Sequence, residues 1–190
     1  MRARTETTRI ILLAVLLSLS AAVALAGQSG GAGRVDISFD YAKLRGFASN
    51  QFAVWIERED GGYLRTIFVT EWTAKGGWKK RPLALANWVK ASDLPEMDRY
   101  DLNAISAATP KTGRQEFSWD CTDKAGKPVP DGRYRIWVEG TLRNENVVLL
   151  TAEVEVGSGT YTPDVSTKFL GEETKDRGML QNVKVEYIAD

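Results

Sequence analysis

An all-β fold, a sandwich of two sheets, is the class this sequence predicts, on three observations. Short runs of alternating apolar and polar residues recur from Val35 to Ile188. Turn-forming residues separate most of them, and a single long section, Glu71 to Arg114, breaks the pattern. An alternating run hides one face of a strand and wets the other, so each sheet needs a second layer to cover it.

The elements follow in order. Val35, Ile37, Phe39 and Tyr41 alternate with Asp36, Ser38 and Asp40, which predicts a half-buried first strand. Phe52, Val54 and Ile56 alternate with Gln51, Ala53, Trp55 and Glu57 in a second. Glu59-Asp60-Gly61-Gly62 then turns the chain into a third, Tyr63 to Thr70, so these two form a hairpin. Glu71 to Arg114 is a long irregular insertion holding Trp72, Trp78 and Trp88, with one short helix around Leu83 to Lys90. Phe117 to Thr141 reads as another hairpin. Its turn is well specified: Asp120, Asp123 and Gly126 supply turn chemistry, Pro128 and Pro130 stiffen an extended segment, and Asp131-Gly132 leads into Tyr134, Ile136 and Val138. Val147 to Val156 carries apolar residues on both faces, as a central strand does. A loop, Gly157 to Gly178, precedes a last strand, Val183 to Ile188. About seven short strands with turns between them fit a sandwich of the immunoglobulin-like type. No internal repeat is evident.

Before that domain, residues 1–26 read as a cleaved export signal. Arg2, Arg4 and Arg9 form a positive leader, Ile10 to Leu19 is a short apolar run, and Ala24-Leu25-Ala26 is a small-x-small cleavage site. The apolar run is short for a membrane span. Residues 27–34 form a flexible linker, and 35–190 a single domain in the periplasm. Without the signal the chain keeps 22 basic and 24 acidic residues. That balance offers no general attraction to nucleic acid.

Several chemistries are closed by composition. The chain has no His, which removes the usual general base near neutral pH, His-based triads and His-ligated metals. Its one Cys, Cys121, cannot form an internal disulfide or supply a lipid-attachment site at the signal. Cys121 lacks the adjacent base a nucleophile needs and reads as a tolerated small residue in a turn. Asp120, Thr122 and Asp123 lack the alternation of a calcium loop, so they read as turn-stabilising groups. Glu57, Glu59 and Asp60 read as solvated carboxylates at a hairpin end. No catalytic constellation and no metal site is expected.

One section carries candidate binding residues: Trp72, Lys75, Trp78, Lys79, Lys80 and Arg81. They suit a stacking platform for sugar rings or an anion-binding loop, with Gly76-Gly77 letting a ligand approach the backbone. The plainer reading has the tryptophans pinning a long loop to the sandwich while the lysines stay solvated. On the first reading the protein is a non-catalytic binding or assembly module of the cell envelope, without cofactor, whose partner is an envelope protein or a glycan.

Three resemblances add expectations. The run from Trp119-Asp120 through Asp123, Gly126, Val129-Pro130, Gly132 and Tyr134 resembles the W-D-G-x-D-x-x-G-x-x-V-P-x-G-x-Y signature of bacterial immunoglobulin-like modules, among them that of the flagellar hook-assembly scaffold; it implies the fold. The segments Val69 to Pro82, Trp88 to Ser92, Ser106 to Gly113 and Tyr134 to Leu150 resemble an uncharacterised family of predicted periplasmic proteins defined by a domain of unknown function, which implies location. Asn103-Ala104-Ile105-Ser106-Ala107-Ala108-Thr109 is similar to the D-x-x-S/T-G-A-T/S motif of exported flavoproteins, with Asn103 and Ala107 standing where the motif has Asp and Gly. That similarity implies a different role, an electron carrier with FMN attached to the Thr109 hydroxyl as a phosphoester, served by a flavin transferase and a membrane redox protein. Read without it, the same segment is a small-residue loop closed by Pro110 and Gly113.

Overall fold

The computed structural model describes residues 33–46, 49–143, 146–171 and 177–190. The expected export signal and residues 27–32 of the expected linker lie outside them. β1 (Arg34–Tyr41), β5 (Gly113–Trp119) and β9 (Leu180–Ile188) form an antiparallel sheet in the order β5-β1-β9. β2 (Gln51–Arg58), β3 (Tyr63–Thr70), β4 (Ser106–Ala107), β6 (Gly132–Thr141), β7 (Val147–Val156) and β8 (Ser166–Leu170) form a second, in the order β4-β3-β2-β6-β7-β8. Only the β3–β4 pair is parallel. The two sheets make the all-β sandwich that alternation predicts.

The facing sides of the sheets bury Ile37 and Phe39 of β1, Phe52, Val54 and Ile56 of β2, Ile136 and Val138 of β6, and Val148 and Val154 of β7. Each such side chain stabilises the fold by about 1.5–3 kcal/mol relative to exposure. Aromatic rings knit the layer: Phe39 meets Phe52 edge-on at 5.4 Å, and Trp119 meets Tyr134 at 5.3 Å.

The stretch Phe117 to Thr141 is not a hairpin. β5 pairs with β1 from Val35↔Trp119 to Tyr41↔Gly113, whereas β6 pairs with β2 and β7 in the other sheet. The intervening turn is an arch that carries the chain from one sheet to the other. Asp123 Oδ1 accepts from the amides of Ala125 and Lys127 at 2.8 and 3.0 Å, the Asx chemistry its sequence predicts. Those bonds, the one from the Lys127 amide first, hold its carboxyl below the usual range. The arch is roofed by Arg65, whose Nη1 donates to Asp120 Oδ1 at 3.1 Å and Thr122 Oγ1 at 2.6 Å. Cys121 is more than a tolerated turn residue: it is buried in the core with a left-handed backbone, φ 51°. Burial pushes its thiol up to about 12, so it stays protonated.

Two further differences concern strand and helix number. β8 lies inside the stretch expected to be a loop, paired on β7 from Val147↔Leu170 to Thr151↔Ser166. With both faces half-wet and one edge open, it has no apolar period to betray it. The described residues form nine strands rather than about seven. β7 is central, as expected, but its two-sided burial is confined to its first half. The insertion holds more than one short helix: α1 (Trp78–Lys80), α2 (Ala86–Ala91) and α3 (Arg99–Ile105), with a wide turn at Thr73–Gly77 and a tight one at Leu94–Glu96.

These pieces form a third layer. They cover the outer face of the six-stranded sheet around a second core, in which Ala53 and Trp55 of β2 and Val69 of β3 meet Ala74, Leu85, Trp88 and Leu94 of the insertion. We call this layer the cap.

Candidate functional site

The cap is attached by polar side chains that point outward from the sheet. Gln51 on β2 accepts from Thr73 N at 3.3 Å and Thr73 Oγ1 at 3.1 Å. Thr141 on β6 accepts from Leu85 N at 2.9 Å, and Thr66 on β3 accepts from the Trp88 indole at 2.8 Å. Glu139 on β6 takes the strongest load. Its carboxylate accepts from Asn87 N and Nδ2 at 3.3 and 2.9 Å and from Trp88 N at 2.9 Å. The residue preceding α2, Leu85, offers no capping side chain and sits at φ 55°, so Glu139 supplies the missing acceptor from the sheet. Glu139 is fully buried, and burial pushes its pKa up against the opposing pull of those donors.

Beside the cap, Trp55 and Trp137 stack at 5.6 Å, and both indoles donate to Glu57, at 3.0 and 2.8 Å. Glu57 is thus a clamp rather than a solvated carboxylate. Glu59 pairs with Arg133 at 3.0 Å, and Asp60 accepts from Gly62 N at 2.8 Å, so none of the three is poised for acid–base work.

The structure divides the tryptophan–lysine section between two hollows. An open cleft of about 580 Å³ is walled by Lys75, Trp78 and Lys79 on one side and by Met97, Arg99, Leu102 and Asn103 on the other. Lys79 Nζ lies 5.4 Å from the centre of the Trp78 ring. A groove of about 430 Å³ collects Glu71, Trp72, Lys75, Gly77 and Lys80. Lys75 belongs to both and pairs with Glu71 at 2.6 Å. Arg81 lines neither; its Nη1 reaches Ser49 Oγ at 3.5 Å. The tryptophans split as well: Trp88 is wholly buried and pins the cap, Trp78 is half-buried, and Trp72 is 42% exposed. The space beside Gly77 is filled by the Trp72 ring, not left for a ligand. Gly76, at φ 107° with open space where a Cβ would stand, keeps the backbone approachable.

The Asn103–Thr109 segment does not gather at one point. Asn103 is exposed on α3 and lines the cleft, the Ser106 hydroxyl is buried with no hydrogen-bond partner among the described residues, and Thr109 is half-buried. Thr109 Oγ1 accepts from Gln51 Nε2 at 3.4 Å, and the same Gln51 amide holds Thr73. The two candidate sections therefore touch a common residue. Arg99, which adds a third cation to the cleft, is the functional candidate that sequence reasoning missed. Its signal was the Asp98-Arg99-Tyr100-Asp101 helix start, where Asp98 Oδ1 accepts from Tyr100 N at 2.6 Å.

Among the described residues no group of three or more Asp, Glu or Cys is placed to hold a metal, and no helix is long and apolar enough to cross a membrane. No match was found among curated proteins or among solved structures. Residues 32–171, spanning β1 to β8 and the whole cap, match the model of a family described as predicted periplasmic protein (DUF2271). The chain belongs to this family of predicted periplasmic proteins.

Proposed function

We propose that the protein is a non-catalytic binding module of the cell envelope whose cap cleft takes an acidic glycan. The observation that carries this reading is the charge of the cleft: Lys75, Lys79 and Arg99 line it together with Trp78, and no carboxylate does. Lys79 over the Trp78 ring sets a cation against an aromatic face, a pairing that suits a sugar ring bearing a carboxylate or sulfate. The exposed large hydrophobic residues, Trp72, Leu83 and Tyr100, also lie on the insertion rather than on the sheets. Titration with polygalacturonate reports the site. Lys79→Glu with Arg99→Glu lowers affinity by at least about tenfold without lowering Tm. Equal binding by the double variant rejects the cleft as the binding surface.

A second reading, covalent FMN on Thr109 in an electron carrier, has its own support. Ala107 and Ala108 are exposed, which leaves a transferase room, and Ala107 keeps an ordinary negative φ, so the Gly of the motif is not required for this backbone. Bound flavin would supply redox chemistry, while Gln51 would orient the hydroxyl that holds it. Co-expression with a flavin transferase followed by a denaturing gel decides it. Yellow fluorescence that Thr109→Ala abolishes supports attachment; a dark wild-type band ends the idea.

A further inference from the structure

We infer that a second, smaller cavity, on the other side of α3 from the cleft, is a binding site for a free α-amino acid with an apolar side chain. α3 walls both hollows: Arg99, Leu102 and Asn103 face the cleft, whereas Asp101, Ala104 and Ile105 face the cavity. β3, α3, the arch and Met97, just before α3, line it. Tyr63, Arg65 and Ile67 come from β3, Asp101 and Ile105 from α3, and Lys124 from the arch between the sheets. Its volume of about 260 Å³ suits a small metabolite.

The charges decide the ligand class. Arg65 is neutralised by Asp120 at 3.1 Å, and all its hydrogen bonds are made by Nη1, so Nη2 and Nε still have donors to offer. Lys124 makes one contact among the described residues, its Nζ 4.8 Å above the Tyr63 ring. The Asp101 carboxylate makes no hydrogen bond or ion pair among the described residues, and its side chain is exposed. The cavity therefore presents one ammonium held only against the Tyr63 ring, one carboxylate without an ion-pair partner among the described residues, and spare guanidinium donors beside an apolar wall of Ile67, Met97 and Ile105. A zwitterion answers both charges at once: its carboxylate meets Lys124 and Arg65, its ammonium meets Asp101, and its side chain is covered by that wall. A simple anion would leave Asp101 facing it, and a simple amine would leave Lys124. Tyr63 and Thr66 are already bonded to each other at 2.8 Å and serve as floor.

Calorimetric titration of the whole protein with L-leucine, 4-methylpentanoate and 3-methylbutylamine tests this site. Leucine binds saturably and each single-charge analogue binds at least about tenfold more weakly. Asp101→Asn removes the preference for leucine over 4-methylpentanoate, and Lys124→Met the preference over the amine. Both side chains are exposed, so an unchanged Tm accompanies both variants. No saturable heat with any apolar amino acid up to about 10 mM overturns the inference, as does equal affinity for the analogues or indifference to both variants. Because neither variant touches the cleft, glycan binding is unaffected whichever way the result falls.

Discussion

The two hydrophobic layers of this protein are assembled by different means. Between the sheets, contact is apolar, with Phe39, Phe52, Ile136 and Val148 at or near zero exposure. Between sheet and cap, the apolar contact is studded with side-chain hydrogen bonds from Gln51, Thr66, Glu139 and Thr141. The first kind of contact is non-directional and yields a stable slab. The second is directional and fixes where a set of short, irregular segments must lie. The cleft, the groove and the smaller cavity all border the cap, so the candidate chemistry sits on, or at the edge of, the layer that is positioned by polar contacts.

The largest expected effect separates the layers directly. Trp119→Ala, in the slab, and Trp88→Ala, in the cap, each remove a fully buried ring, and each costs about 3–5 kcal/mol at its own site. Their reach differs. Trp119→Ala lowers the midpoint of global unfolding and hydrogen-exchange protection throughout both sheets. Trp88→Ala strips protection from α2 and α3 while the β6 and β7 amides retain theirs, because the slab does not need the cap to close its inner face. Equal loss of protection in both variants would show the two layers to be one cooperative unit.

A smaller effect tests the polar attachment. Glu139→Ala leaves the Asn87 and Trp88 amides without acceptors, a loss of about 1–3 kcal/mol for each buried group left unpaired. Glu139→Gln gives a pH signature instead. Burial raises the carboxyl above its unfolded value, so its contribution to stability is full below that value and declines as pH rises through the folded pKa. The wild type therefore loses stability relative to Glu139→Gln as pH rises from the acid side, and the gap is flat in acid where both side chains are neutral. Tm measured for both proteins across that range shows the trend; a gap that moves the other way would mean that the amide donors outweigh burial.

The slab was far easier to read from the sequence than the cap. Val35, Ile37, Phe39 and Tyr41 announce a strand because burial on one face imposes a period of two, and the same holds for the first half of β6 and the end of β9, while β2 alternates in sequence although the cap buries its outer face as well. Which sheet a strand joins leaves no such mark. Asp123, Gly126 and Pro128 specify a turn equally well for a hairpin and for an arch, so the crossing between β5 and β6 was hidden. Glu139 and Thr141 did not betray the cap for a related reason: polar residues on the outward face of a strand ordinarily signal water, and here they signal a cap. Half of the cleft was legible, in the Trp78-Lys79 pair. The other half, Arg99 and Asn103, comes from a segment about twenty residues later whose approach depends on how the cap folds back.

The smallest change sharpens the comparison most, because it alters function with almost no cost in stability. Glu71 and Lys75 form an exposed pair at 2.6 Å, one helical turn apart, in the groove that adjoins the cleft. Such a pair contributes at most about 0.5 kcal/mol, so Glu71→Gln leaves Tm nearly unchanged. It also releases Lys75, which faces both the cleft and the groove, from its one ion-pair partner among the described residues and removes a negative charge beside the cationic cleft. Affinity for an acidic glycan then rises by about twofold to fivefold, and the gain shrinks as salt is added, since exposed charges are screened over about 10 Å at 0.1 M. A measured rise with unaltered Tm places ligand capture on the cap; no change at low salt would mean that Lys75 does not face the ligand.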